Sequence, residues 1–225
     1  MDSSKISASE MAQRIDHTLL KPEAIQSAFD LLCSEALQYG FKAVCVNSAR
    51  VAYVSEKIAD RAVVVCAVVG FPLGASHPAV KAFEAAKAIE DGASELDMVL
   101  NIGALKDGDL KTVEADIRAV RQAAAGPIVL KVIIETCLLT GPEKETACEI
   151  AQNVGADFVK TSTGFSSGGA TVEDVALMRR IVGPEMGVKA SGGIKDWQTA
   201  AAMIEAGADR LGTSSGVVIF ESAPD

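Results

Sequence analysis

Three lysines interrupt otherwise apolar runs: Lys131 in IVLKVII, Lys160 in DFVKTS and Lys189 in GVKAS. Asp97 interrupts a fourth, SELDMVL. Lysine is almost never fully buried without a partner. One such residue makes an ordinary structural ion pair, and Lys131 stays open to that reading. Three of them with an aspartate point to a polar reaction centre built around an amine nucleophile. At pH 7 only about one unperturbed lysine in 2,500 is neutral. A second ammonium close by, together with desolvation, disfavours the charged form. Lys160 and Lys189 are the natural pair, one acting as nucleophile and the other keeping it neutral.

Other chemistries find less support. His17 and His77 are the only histidines, and neither lies in an HExxH or HxH motif. A catalytic zinc usually takes two or three histidines, so no metal is expected. No GxSxG elbow occurs, which disfavours a Ser-His-Asp nucleophile.

The elements that must position these groups alternate. β-rich runs are expected at Ile15–Leu20, Ala43–Asn47, Val63–Gly70, Glu95–Leu100, Ile128–Glu135, Asp157–Ser162, Gly187–Ser191 and Arg210–Ser214. Helical periodicity falls between them, as at Pro78–Asp91, Asp109–Ala124, Pro142–Asn153, Val172–Ile181 and Asp196–Glu205. Eight strands separated by helices mean parallel pairing with crossovers. The expected fold is α/β: a single-domain (β/α)8 TIM barrel over residues 1–225, with a polar segment and helix over residues 1–14 before the first strand. A doubly wound open sheet is the alternative and would use fewer strands. Gly40, Gly92, Gly155 and Gly207 each close a helix in a repeated pattern, and the fifth residue after each is Cys45, Asp97, Lys160 and Gly212. Strand alternation puts all four on one face, the barrel interior, near the C-terminal strand ends where barrel sites form.

The last two strands are followed by Ser191-Gly192-Gly193 and by Gly212-Thr213-Ser214-Ser215. Loops at these places in barrels often bind phosphate through backbone N–H groups. Gly192, Gly193, Gly212, Ser214 and Ser215 are therefore expected to form a phosphate cup, with Thr163 and Gly164 closing it. Without a Walker A or GxGxxG motif, the phosphate is expected on a small metabolite.

Composition narrows the class. There are 30 acidic against 21 basic residues among 225, a formal charge of -9. That disfavours a nucleic-acid or anionic-membrane partner. The start, MDSSKISASE, has no apolar stretch of a secretory signal. Five cysteines without a CxxC read as reduced thiols of a cytoplasmic protein.

The segments IDHTLLKP, KAVCVN, GASELDMVLNIGAL, LKVIIET, DFVKTSTGF, GVKASGGI and RLGTSSG run in this order from about Ile15 to Gly216. Together they resemble the deoxyribose-phosphate aldolase family. The resemblance implies a metal-free class I aldolase without a cofactor. It would reversibly cleave 2-deoxy-D-ribose 5-phosphate to acetaldehyde and D-glyceraldehyde 3-phosphate. It implies that Lys160 forms the Schiff base, that Lys189 is its proton-transfer partner and that Asp97 donates and accepts protons. Asp16, Thr18, Cys45 and Lys131 are expected to line the site. Cys45 reads nearly as well as a buried apolar residue, and Asp16 equally as a strand-terminal cap. The expected partners are a phosphorylated sugar and aldehydes, within a homodimer. Two departures stand out. Phe165 replaces a lysine found in some members, which shifts phosphate binding towards backbone donors. The chain also ends IFESAPD, without the terminal tyrosine of many members. Two other readings stay open: an isomerase or synthase using Asp97 as base, and a non-catalytic phosphometabolite-binding barrel.

Overall fold

Each of the short apolar strands is covered on both faces, as parallel strands require. In the computed structural model, which describes residues 6–59 and 62–224, eight strands close into one parallel barrel. They are β1 (Ile15–Leu19), β2 (Ala43–Val46), β3 (Val64–Val69), β4 (Glu95–Val99), β5 (Val129–Ile133), β6 (Phe158–Lys160), β7 (Gly187–Ser191) and β8 (Arg210–Thr213). Neighbours in sequence are neighbours in the sheet, and β8 pairs with β1 through Asp16 opposite Gly212. Around them lie α1 (Ala8–Ala12), α2 (Gln26–Tyr39), α3 (Val51–Lys57), α4 (Pro78–Glu90), α5 (Ile102–Lys106), α6 (Leu110–Ala123), α7 (Gly141–Val154), α8 (Val172–Val182), α9 (Trp197–Glu205) and α10 (Gly216–Glu221). The (β/α)8 barrel expected from the alternation is the observed architecture. Of the segment expected before the first strand, residues 1–5 lie outside the described residues.

Strand alternation sorts the side chains into two cores. Val44, Val46, Leu96, Met98, Leu130 and Val188 point outward and pack with the helices. Ala43, Cys45, Cys66 and Val68 point inward as a small cluster, and much of the remaining interior is charged. Local signals set the helix ends. Thr140 and Glu143 form a capping box at the start of α7, and Pro78 opens α4. Gly40 and Gly155 cap α2 and α7 in the left-handed conformation that a side chain resists. Strand β6 is shorter than the expected Asp157–Ser162, because beyond Lys160 side chains join the pairing. The Thr161 amide still donates to the Lys189 carbonyl, but its hydroxyl exchanges hydrogen bonds with the Ser191 backbone.

Candidate active site

Strands β4 to β8 and β1 each turn a charged side chain into the barrel, and the register sets their order. Asp97 sits opposite Lys131, and Lys160 opposite Lys189. Asp97 is the hub. Its Oδ2 accepts from Lys160 Nζ at 2.6 Å and from Lys189 Nζ at 2.7 Å. Its Oδ1 accepts from Lys131 Nζ at 2.9 Å and from the Cys66 thiol at 3.1 Å. Below this hub, Lys131 pairs with Glu95 at 2.6 Å and Lys189 pairs with Asp16. Arg210 closes the floor, bonding Asp16 through Nε at 2.9 Å and Glu95 at 3.0 Å. Gly212 is required beside it, because a Cβ there would lie 2.9 Å from Ser191 Cβ and 3.1 Å from Lys189 Cε.

The electrostatics follow from burial and proximity. Burial alone would push the Asp97 carboxyl up; Lys131, Lys160 and Lys189 outweigh it and hold Asp97 well below the usual carboxylate range. Asp16 behaves alike, with Lys189 and Arg210 overcoming its burial. Burial would push Lys189 down, but Asp16 and Asp97 reverse this and hold it well above the ordinary lysine value. Lys131 is raised in the same way, Asp97 being its strongest neighbour. Four cations thus face three carboxylates, and the cluster is balanced when one amine is neutral.

A cavity of about 370 Å³ opens above this network at the C-terminal strand ends. Lys160 lines it, whereas Lys131 and Lys189 are fully buried and do not. Thr163, Gly164, Gly192, Gly193, Gly212, Ser214 and Ser215 all line the same cavity, so the structure brings the expected cup residues together. Gly192 takes a φ of 85°, and a Cβ there would lie 2.9 Å from Gly169 Cα. Thr163 differs from expectation in one respect: its amide and hydroxyl both donate to Glu135, away from any phosphate. Thr18 lines the wall with Leu20 and Phe165. Asp16, Cys45 and Lys131 are fully buried one layer deeper and do not line the cavity.

Sequence reasoning missed Glu95 and Arg210, which open β4 and β8. It also missed Lys21 and Lys195, two cations on the cavity rim whose only signal was their position beside TLL and SGGI. A larger groove of about 1050 Å³ lies between α1 and the helices α8 and α9, with Arg14 and Arg179 on its walls and no interior lysine. Cys45, Cys66 and Asp97 come within 4.8 Å of one another, as do Asp16, Cys66 and Glu95. These carboxylates already accept from ammonium and guanidinium groups, whose charges oppose a bound cation.

The chain is similar to known proteins in sequence and fold. The DeoC/LacD family aldolase pattern matches residues 10–222. A deoxyribose-phosphate aldolase of Brevibacillus brevis is 62% identical over 213 residues, covering 95% of this chain and 96% of that one. One from Thermococcus gammatolerans is 62% identical over 219 residues, covering 95% and 96%. The tetrameric deoxyribose phosphate aldolase of Aeropyrum pernix superposes with a TM-score of 0.89 at 36% identity, covering 96% of this chain and 92% of that one. The family match, the identity over most of the chain and the shared barrel therefore agree, and the chain belongs to the DeoC/LacD family of aldolases.

Proposed function

We propose that this aldolase cleaves 2-deoxy-D-ribose 5-phosphate reversibly to acetaldehyde and D-glyceraldehyde 3-phosphate through a Schiff base on Lys160. The observation that carries the reading is that Lys160, alone of the three interior lysines, opens onto the cavity while sharing one Asp97 oxygen with Lys189. The neutral Lys160 amine attacks C1 of the open-chain aldehyde, and loss of water gives a protonated imine. Deprotonation of the C3 hydroxyl then sends the C2–C3 electron pair into the imine. Glyceraldehyde 3-phosphate leaves and an enamine remains. Protonation at C2 and hydrolysis release acetaldehyde and restore the amine. To Asp97, bonded to Lys160 and buried below the cavity, we assign the exchange of these protons through water. Lys189 supplies the fixed positive charge beside the nucleophile, and Asp16 with Arg210 holds Lys189 in place. Gly164, Gly192, Gly193, Gly212, Ser214 and Ser215 are proposed to receive the phosphate, assisted by Lys21 and Lys195 at the rim.

Incubation with acetaldehyde and borohydride tests the reading. An ethyl group should appear on the peptide containing Lys160, and Lys160→Leu should abolish both adduct and aldol cleavage. An adduct on Lys189 would reverse the two lysine roles. No adduct on any interior lysine would favour the isomerase or synthase reading. Activity should also survive exhaustive chelation, since the site's carboxylates are committed to cations; loss restored by zinc would sink the assignment. Within the described residues no helix is long and apolar enough to cross a membrane. A cytoplasmic homodimer is proposed, and light scattering separates it from a tetramer.

A further inference from the structure

Glu135 takes no part in the charged network. Among the described residues it is the only non-glycine with a positive φ, at 55° with ψ 65°. A side chain disfavours that conformation, which persists where the surroundings over-determine it. The Glu135 carboxylate is buried, and among the described residues no basic group pairs with it. It is satisfied instead by one residue of the neighbouring loop. The Thr163 amide donates to Oε1 at 3.2 Å and to Oε2 at 3.3 Å, and the Thr163 hydroxyl donates to Oε2. The Cys137 thiol is the other donor, 4.0 Å from Oε1.

This arrangement continues into the cavity wall. Because the Thr163 hydroxyl hydrogen points at Glu135, its oxygen faces the other way and accepts from the Phe165 amide at 3.1 Å. The turn Thr163–Gly164–Phe165 thus has two of its three amides spent. The Gly164 amide has no partner among the described residues, and Gly164, at φ 82°, lines the cavity. The turn begins three residues after Lys160, so its shape sets where that free amide lies relative to the nucleophile.

We propose that Glu135 is a positioning residue for phosphate selection: by taking both donors of Thr163 it folds the turn that offers the Gly164 amide to the substrate's phosphate. This rests on the phosphosugar reading given above. The buried carboxylate is tolerated there because the Thr163 amide and hydroxyl both donate to it.

The full-length Glu135→Gly variant suits the backbone and lacks the carboxylate, while Glu135→Gln keeps one acceptor oxygen. For both, kcat and KM are measured with deoxyribose 5-phosphate and with unphosphorylated deoxyribose, together with the yield of the acetaldehyde adduct. In Glu135→Gly the KM for the phosphorylated sugar should rise about tenfold or more, the scale of one lost charged hydrogen-bond set. The KM for deoxyribose should stay within about twofold and the adduct yield should hold. Glu135→Gln should show a smaller rise in the same ratio, and it carries the test should the glycine variant fail to fold. Equal losses for both sugars, or an unchanged ratio in either variant, would overturn the proposal and leave Glu135 a structural tie. Wild-type protein without a preference for the phosphorylated sugar would instead refute the cup itself, so the two failures are distinguishable.

Discussion

Both oxygens of Asp97 are shared, one between Lys160 and Lys189, the other between Lys131 and Cys66. Asp97→Asn would leave the Lys131, Lys160 and Lys189 amines around a neutral amide. Removing one member of a buried ion pair costs about 3–5 kcal/mol, and losing an acid–base group costs about 10²–10⁴ in rate. Both a lowered Tm and a kcat loss in that range are expected; a stable variant with unchanged kcat would take Asp97 out of the proton path. Lys189→Leu removes the charge beside the nucleophile, so kcat/KM should fall and the acidic limb of its pH profile should move to higher pH. A profile that keeps its limb and height would make Lys189 a structural cation. Asp97 and the lysines were legible because a charge inside an apolar run has no cheap explanation. Glu95 and Arg210 open their strands, two positions nearer the preceding loops than Asp97 and the lysines, where a charge is ordinary. Glu135 was invisible for another reason. Its role depends on a left-handed backbone, which IIET does not announce.

Among the helices, α4 and α6 are joined by a second buried pair. Lys81 Nζ donates to Asp116 at 2.6 Å and to the carbonyl of Val99, the last residue of β4, at 2.8 Å. Burial pushes Lys81 down and Asp116 up, and their mutual attraction only partly offsets this. Lys81→Met should therefore cost about 3–5 kcal/mol by stranding Asp116, while the double variant Lys81→Met/Asp116→Leu should regain most of it in urea unfolding. Equal stabilities would show the pair to be inert. On β1, His17 faces outward and bonds Glu35 of α2 at 2.7 Å. Burial outweighs Glu35 and holds His17 below the ordinary histidine value. The unfolded chain then binds the proton more readily, so this contribution is present above about pH 6.5 and is lost as pH falls. His17→Gln should flatten the fall in Tm from about pH 7 to pH 5; an unaltered slope would place the acid sensitivity elsewhere. Strands and long helices were legible at this scale because period and caps agreed. The five-residue α5 and six-residue α10 are too short to show a period, and side-chain bonds at Thr161 ended β6 early.

Across the molecule, the eight-strand alternation made the barrel readable in the sequence, because few other folds accommodate so many parallel strands in this length. What it could not convey is how far apart the partners at the barrel floor lie along the chain. Asp16 and Arg210 are 194 residues apart, and their bonds form only when β8 docks on β1. Closing so long a loop is entropically costly and comes late unless something else holds the ends. Lys189 depends on Asp16 for one of its two anions, so the electrostatic setting of the nucleophile is unfinished until the ring shuts. Catalytic competence is in this sense a report on closure. During refolding, capacity to form the borohydride adduct should return with the last native contacts to appear and not with secondary structure. An incomplete chain ending before Arg210 should form no adduct at all, which keeps a reactive amine out of the unfinished protein.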